Sequence, residues 1–100
     1  MNINEFNEAI ASEKAVVVKL SAEWCQPCKA LDAILTRIEP KHENLKVVRV
    51  DVEENPEIAS QFGITNVPVL LYYKDGEPMD MSVGLRTENE LNEKISKLLE

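Results

Sequence analysis

Residues 22–29 read Ala-Glu-Trp-Cys-Gln-Pro-Cys-Lys and hold both cysteines of the chain, Cys25 and Cys28, and its only tryptophan, Trp24. Two cysteines separated by two residues can close a small disulfide ring, pinch a metal ion, or do nothing together. A structural zinc wants four ligands, and beyond the two sulfurs this chain offers one distant histidine, His42. Thiol chemistry makes a different demand, a sulfur that ionises easily. A free thiol has a pKa of about 8.5, which a helix N-terminus and Cys-x-x-Cys geometry bring down to roughly 3.5–7.5.

The flanks supply that helix N-terminus. Ala15 to Leu20 is β-branched and nearly continuous in apolar character, which reads as a central strand covered on both faces. After the cysteines, Ala30, Leu31, Ile34, Leu35 and Ile38 recur with helical period. Pro27 suits the first turn, where its missing N–H costs nothing, and Pro40 marks the stop. Cys25 therefore falls where a strand hands over to a helix, near unpaired N–H groups and the positive end of the helix dipole.

The remaining elements follow from the same signals. Asn4 to Ala11 reads as a short amphipathic helix capped by Asn4. Leu45 to Asp51 is a second strand, and strand-helix-strand implies a parallel pair. Asn55-Pro56 starts a short helix with Ile58, Ala59 and Phe62 on its apolar face, and Gly63 ends it. Val67 to Tyr73 is a third strand with Pro68 near its start. Lys74-Asp75-Gly76-Glu77 is a hairpin signal leading into an edge strand, Met79 to Val83, whose Met79 and Met81 are expected in the core. Thr87 with Glu90 three residues on is a capping box for a last helix with Leu91, Ile95 and Leu98 buried. Tyr72 and Tyr73 face opposite ways, and His42 sits in a polar connection where solvent suffices to explain it.

One hundred residues make a single domain, residues 1–100, with 44% hydrophobic and 29% charged residues. The net charge of −7 argues against nucleic acid, which needs a basic face. No apolar stretch approaches the roughly 20 residues of a membrane span. The N-terminus lacks the basic and apolar regions of a signal peptide, so a cytoplasmic, reducing location is the default expectation.

The stretch Trp24-Cys25-Gln26-Pro27-Cys28 resembles the active site of the thioredoxin family, Trp-Cys-Gly-Pro-Cys. The likeness continues through Asp51-Val52-Glu53-Glu54-Asn55-Pro56, Phe62-Gly63-Ile64, Val67-Pro68, Lys74-Asp75-Gly76-Glu77 and Val83-Gly84, in order and spacing, from about Phe6 to the C-terminus. The resemblance implies an α/β thioredoxin fold with helices on both faces of a central mixed sheet. Only three residues precede the first helix, so the family's first strand is expected absent or very short and the sheet four-stranded. It implies that Cys25 is the nucleophile and Cys28 the resolving thiol, that Pro68 follows a cis bond, and that Trp24, Gln26, Pro27, Val67, Val83 and Gly84 border the docking surface. It further implies disulfide-containing protein substrates, a thioredoxin reductase drawing on NADPH or ferredoxin, a monomer, and no bound cofactor or metal, because the cysteine pair carries the electrons.

Three positions depart from the family. Gln26 replaces a glycine inside the ring. Ala33 replaces a helix-kinking proline. Lys19 takes the place of a buried aspartate behind the cysteines, and Arg49 the place of a nearby lysine, so an anion–cation pair becomes two cations and the carboxylate base is missing from its usual place. Lys19 is a candidate modulator of the cysteine pKa values, by stabilising a thiolate or by losing its own proton. It can also snorkel to water with no chemical part. These departures leave a second functional reading, a binding or scaffold module whose redox activity is incidental.

Overall fold

The computed structural model describes residues 1–100. Helix α1 (Ile3–Ile10) comes first, then strand β1 (Ala15–Ser21), helix α2 (Gln26–Ile38) with a 3-10 turn (Glu39–Lys41), and strand β2 (Leu45–Asp51). Helix α3 (Pro56–Gln61), strands β3 (Val69–Lys74) and β4 (Glu77–Val83), and helix α4 (Glu88–Leu98) complete the chain. The sheet order is β2-β1-β3-β4. β1 runs parallel to β2 and antiparallel to β3, and β3 and β4 form an antiparallel hairpin. The sheet is thus mixed and four-stranded, as expected for the family fold without its first strand.

β1 sits inside this sheet, paired on both edges, and six of its seven residues are buried. Its alternation divides the core. Ala15 and Val17 face a cluster with Leu31, Leu35 and Ile38 of α2 and Leu91, Ile95 and Leu98 of α4. Val16, Val18 and Leu20 face the opposite cluster, with Phe6 of α1 and Ile58 of α3. Full burial of each such aliphatic side chain contributes about 1.5–3 kcal/mol. Tyr72 and Tyr73 divide in the same way. The Tyr72 hydroxyl meets Ser82 Oγ at 3.0 Å, while Tyr73 packs edge-on to Phe6.

The turn chemistry decides where elements stop. Asp75 and Gly76 have φ of 51° and 81°. Two positive φ values in a two-residue loop match a primed turn, whose twist suits a hairpin. α3 ends in a Schellman motif: Ile64 N–H donates to the Ala59 carbonyl and Gly63 N–H to that of Ser60, with Gly63 at φ 61°. The α4 capping box forms as read from Thr87 and Glu90.

Several local expectations are corrected. Asn2, not Asn4, caps α1, because its side chain reaches Glu5 N–H while Glu5 returns the bond to Asn2 N–H. Asn55 precedes α3 without a side-chain cap, since its amide donates to the Asp51 carbonyl and its oxygen accepts from the N-terminal amine. β3 begins at Val69 rather than Val67, leaving Pro68 in the preceding loop. Ala30 is exposed on α2. Met79 and Met81 are more than half exposed, and the one buried residue of this edge strand is Ser82. His42 is not simply solvated; its Nε2 meets Asn92 Oδ1 of α4 at 2.8 Å.

Leu35→Ala should cost about 2–5 kcal/mol in urea denaturation, the range for a fully buried leucine. Met79→Gln should stay within about 0.5 kcal/mol, as an exposed surface change does. Equal losses from the two substitutions would contradict this placement of the core.

Candidate active site

Cys25 is the N-cap of α2, with extended backbone (φ −87°, ψ 110°). Its sulfur accepts the Cys28 N–H at 3.2 Å. This is one of the donors that a helix leaves unpaired at its start, and it is directed at sulfur. Pro27 takes a first-turn position of α2, as read. The two sulfurs are joined in a disulfide, with Cα atoms 5.2 Å apart. Both cysteines are buried in this oxidised state, Cys25 at 4% and Cys28 at 2% exposure, so the nucleophile expected to be the more exposed gains little by it. Ala22 packs with both, and Val52 and Val67 lean on the cluster.

The Val67–Pro68 peptide bond is cis. The loop brings the Val67 carbonyl oxygen to 3.9 Å from Cys25 Sγ. Gly84, at φ 87°, donates its N–H to the Pro68 carbonyl at 2.8 Å, tying the end of β4 to the same loop. A φ of that sign favours glycine. Trp24 is 69% exposed, which excludes a core role. A groove of about 250 Å³ lies here, lined by Trp24, Val52, Ile64 and Val67 with Thr65 and Asn66. Val83 is half-exposed, and Gln26 and Pro27 are exposed. The structure therefore gathers Trp24, Val67, Pro68 and Gly84 about Cys25, with Val83 one residue from Gly84.

Lys19 is where sequence reasoning fell short. It is buried, but it does not stand as one of two unpaired cations. Lys19 Nζ donates to Asp32 Oδ1 at 2.8 Å, and Arg49 Nε donates to the same oxygen at 2.6 Å. Arg49 also reaches Thr36 Oγ1 at 3.2 Å. A carboxylate is present after all, supplied by α2 instead of β1. The signal was available. Lys19 shares a strand face with Ala15 and Val17, which is the α2 face, and Arg49 is its register partner on β2. Asp32 is the only acid in α2. Burial pushes the Asp32 carboxyl up, but the hydrogen bonds and charges of Lys19 and Arg49 outweigh it and hold the group below its ordinary value.

On the Cys28 side of the pair lies an open depression of about 510 Å³, lined by Lys19, Ser21, Cys28, Asp32, Asp51 and Glu54 among others. Asp51 Oδ1 also accepts the N–H groups of Glu53 and Glu54 at 2.8 and 3.1 Å, which fixes the turn after β2.

Because Asp32 is held below its unfolded value of about 3.9, its contribution to stability is present above that pH and lost as pH falls through the folded value. The stability gap between the parent chain and Asp32→Asn should thus be widest near neutral pH and shrink below about pH 4. Urea midpoints across that range test this; a gap independent of pH would refute it.

Comparison with known proteins agrees with this geometry. The thioredoxin family model matches residues 1–97. Thioredoxin of Listeria monocytogenes is 42% identical over 91 residues, covering 90% of this chain and 88% of that one. Thioredoxin of Bacillus subtilis is 38% identical over 92 residues, covering 91% and 88%. Among solved structures, a mutant thioredoxin from Halobacterium salinarum superposes with a TM-score of 0.93 at 29% identity, covering all of this chain and 88% of that one. Oxidised mitochondrial thioredoxin 3 of Saccharomyces cerevisiae gives 0.87 at 29% identity, covering 96% and 90%. With its Cys-x-x-Cys pair at the start of α2, the chain belongs to the thioredoxin family of thiol-disulfide oxidoreductases.

Proposed function

We propose that this chain reduces disulfides in protein substrates, with Cys25 as nucleophile and Cys28 as resolving thiol. The observation that carries the assignment is the Cys28 N–H directed at Cys25 Sγ from the first turn of α2. In the reduced protein that donor and the helix dipole favour a negative Cys25 sulfur. The thiolate attacks one sulfur of the substrate disulfide. A mixed disulfide forms, the substrate S–S bond breaks, and the second substrate sulfur leaves as a thiolate. Cys28, as thiolate, then attacks Cys25 Sγ. The Cys25–Cys28 bond forms and the bond to substrate breaks, releasing the second thiolate. The product is the oxidised pair seen here. Two electrons from a thioredoxin reductase, with two protons, restore it. This cycle suits a reducing compartment such as the cytoplasm.

Trp24, Gln26, Pro27, Val67, Pro68, Val83 and Gly84 form the docking surface in this reading. Val67 presents main chain beside Cys25, so an extended substrate segment binds in strand-like fashion, with backbone contacts for affinity and few side chains for specificity. The exposed Trp24 indole supplies apolar area at that surface.

Insulin reduction with dithiothreitol or a reductase tests the assignment. Cys25→Ser should fall to the uncatalysed background. Cys28→Ser should also lose turnover but accumulate a mixed disulfide through Cys25, visible by mass spectrometry of the intact adduct. An adduct on Cys28 in Cys25→Ser, with none in Cys28→Ser, would reverse the roles. Trp24→Ala should raise the KM for insulin about tenfold, equivalent to about 1.4 kcal/mol of docking energy. An unchanged KM would remove Trp24 from the docking surface.

A further inference from the structure

We propose that Asp32 is a positioning residue for the resolving step: it holds Lys19 as an ammonium beside Cys28, and that buried positive charge, rather than a carboxylate base, favours the Cys28 thiolate. The inference rests on the assignment of Cys28 as the resolving thiol and adds the source of its ionisation.

Three observations support it. Lys19, Asp32 and Cys28 line one depression. Lys19 is buried, its side chain 8% exposed, whereas Asp32 is 38% exposed. An exposed charge is screened by water and salt; a buried one is screened far less. Both cations bond the same oxygen of Asp32, Oδ1. A carboxylate so engaged keeps its charge and is a poor acceptor for a thiol proton.

The other charged groups near Cys28 come from every element around it. β1 contributes Lys19, the turn before α2 contributes Glu23, and α2 contributes Lys29 and Asp32. β2 contributes Asp51 and, through Asp32, Arg49, and the turn after β2 contributes Glu54. The cis-proline loop, Val67-Pro68, brings none. Glu23, Lys29 and Glu54 are exposed, and Asp51 is partly so. Lys19 is the one buried charge in the set and so the one least screened by water and salt.

The chemistry balances without another reactant. The Cys28 S–H bond breaks and its proton passes to solvent through the open depression. The remaining electron pair on sulfur attacks Cys25 Sγ, and the substrate thiolate leaves with the electrons of the broken mixed disulfide. Asp32 acts only through Lys19. Without its counterion, the buried Lys19 ammonium next to Arg49 is disfavoured by both desolvation and repulsion.

This coupling predicts an effect of unusual sign. Removing a negative charge near a thiol ordinarily lowers its pKa. Asp32→Asn should instead raise that of Cys28, by silencing Lys19. The test uses the full chain carrying Cys25→Ser, in which Cys28 is the only thiol, and follows thiolate ultraviolet absorbance against pH. Asp32→Asn and Lys19→Met should each raise the Cys28 midpoint by about one unit, a tenfold loss of thiolate well below the midpoint. The double variant should shift no further than Lys19→Met alone. Asp32→Glu, which retains the carboxylate, should restore most of the parental midpoint. Circular dichroism melts on the same samples show that each is folded. A midpoint that falls or stays in Asp32→Asn, or additive shifts in the double variant, overturns the proposal. Insulin turnover of the parent chain separates the two claims, since its absence would defeat the assignment of Cys28 itself whatever the titration shows.

Discussion

Strand β1 is paired on both edges and covered on both faces, and the active site hangs from that constraint. A strand in this position cannot slip by one residue without turning Val16, Val18 and Leu20 into the wrong cluster. Its register with β2 and β3 is therefore fixed along Ala15 to Ser21. The chain leaves the end of β1 at Ser21 and enters α2 at Gln26, so the position of Cys25 is set by the strand before it and the helix after it. The same register sets the other wall. β3 starts at Val69 opposite Leu20, which brings the Val67-Pro68 loop to the level of the cysteines. The reactive cysteine pair and the cis-proline loop are thus both positioned by one buried strand.

The N-terminus of α2 then converts position into chemistry. Cys25 occupies the site where a serine or aspartate usually caps a helix. Sulfur is a weak acceptor when neutral and a much better one as thiolate. A cap interaction of this kind is thus stronger for a thiolate than for a thiol. Pro27 contributes by removing an N–H that would have no partner in the first turn and by fixing φ there. The Cys28 N–H remains, aimed at Cys25.

Much of this was legible in the residues. The cysteine spacing, the β-branched run before it and the helical period after it placed the pair at a strand-helix junction. The Asp75-Gly76 and Thr87-Glu90 signals worked because turns and caps are decided by a few local bonds. The misses have a common cause as well. Asn2 and Asn55 chose among competing local hydrogen bonds, which composition does not rank. Met79 and Met81 were misplaced because apolar character says nothing about whether an edge strand has a helix over that face. Asp32 was missed because its partners lie on two other elements, and only the facing of β1 and β2 toward α2 brings the three charges together.

That triad also bears on what a buried ion pair is for. Stability alone does not explain Lys19. Replacing a buried pair with well-packed apolar residues is often neutral or stabilising, while leaving one member unpaired is costly. A leucine at position 19 would continue the apolar face of Ala15 and Val17 without requiring Asp32 or a polar depression. The arrangement instead meets the demands of the fixed charge proposed above: a rigid strand to carry it, burial to limit its screening, and a partly exposed counterion to pair with it. Relative to the strand aspartate and lysine of the family pattern, the sign at this strand position is reversed, and the carboxylate has moved to the helix. A strand carboxylate can accept the thiol proton but repels the thiolate that results. A strand ammonium cannot accept the proton but stabilises the thiolate, leaving the proton to water. On the proposed mechanism the two solutions would serve the same attack of Cys28 on Cys25, and they differ in which side of the ionisation equilibrium the protein stabilises.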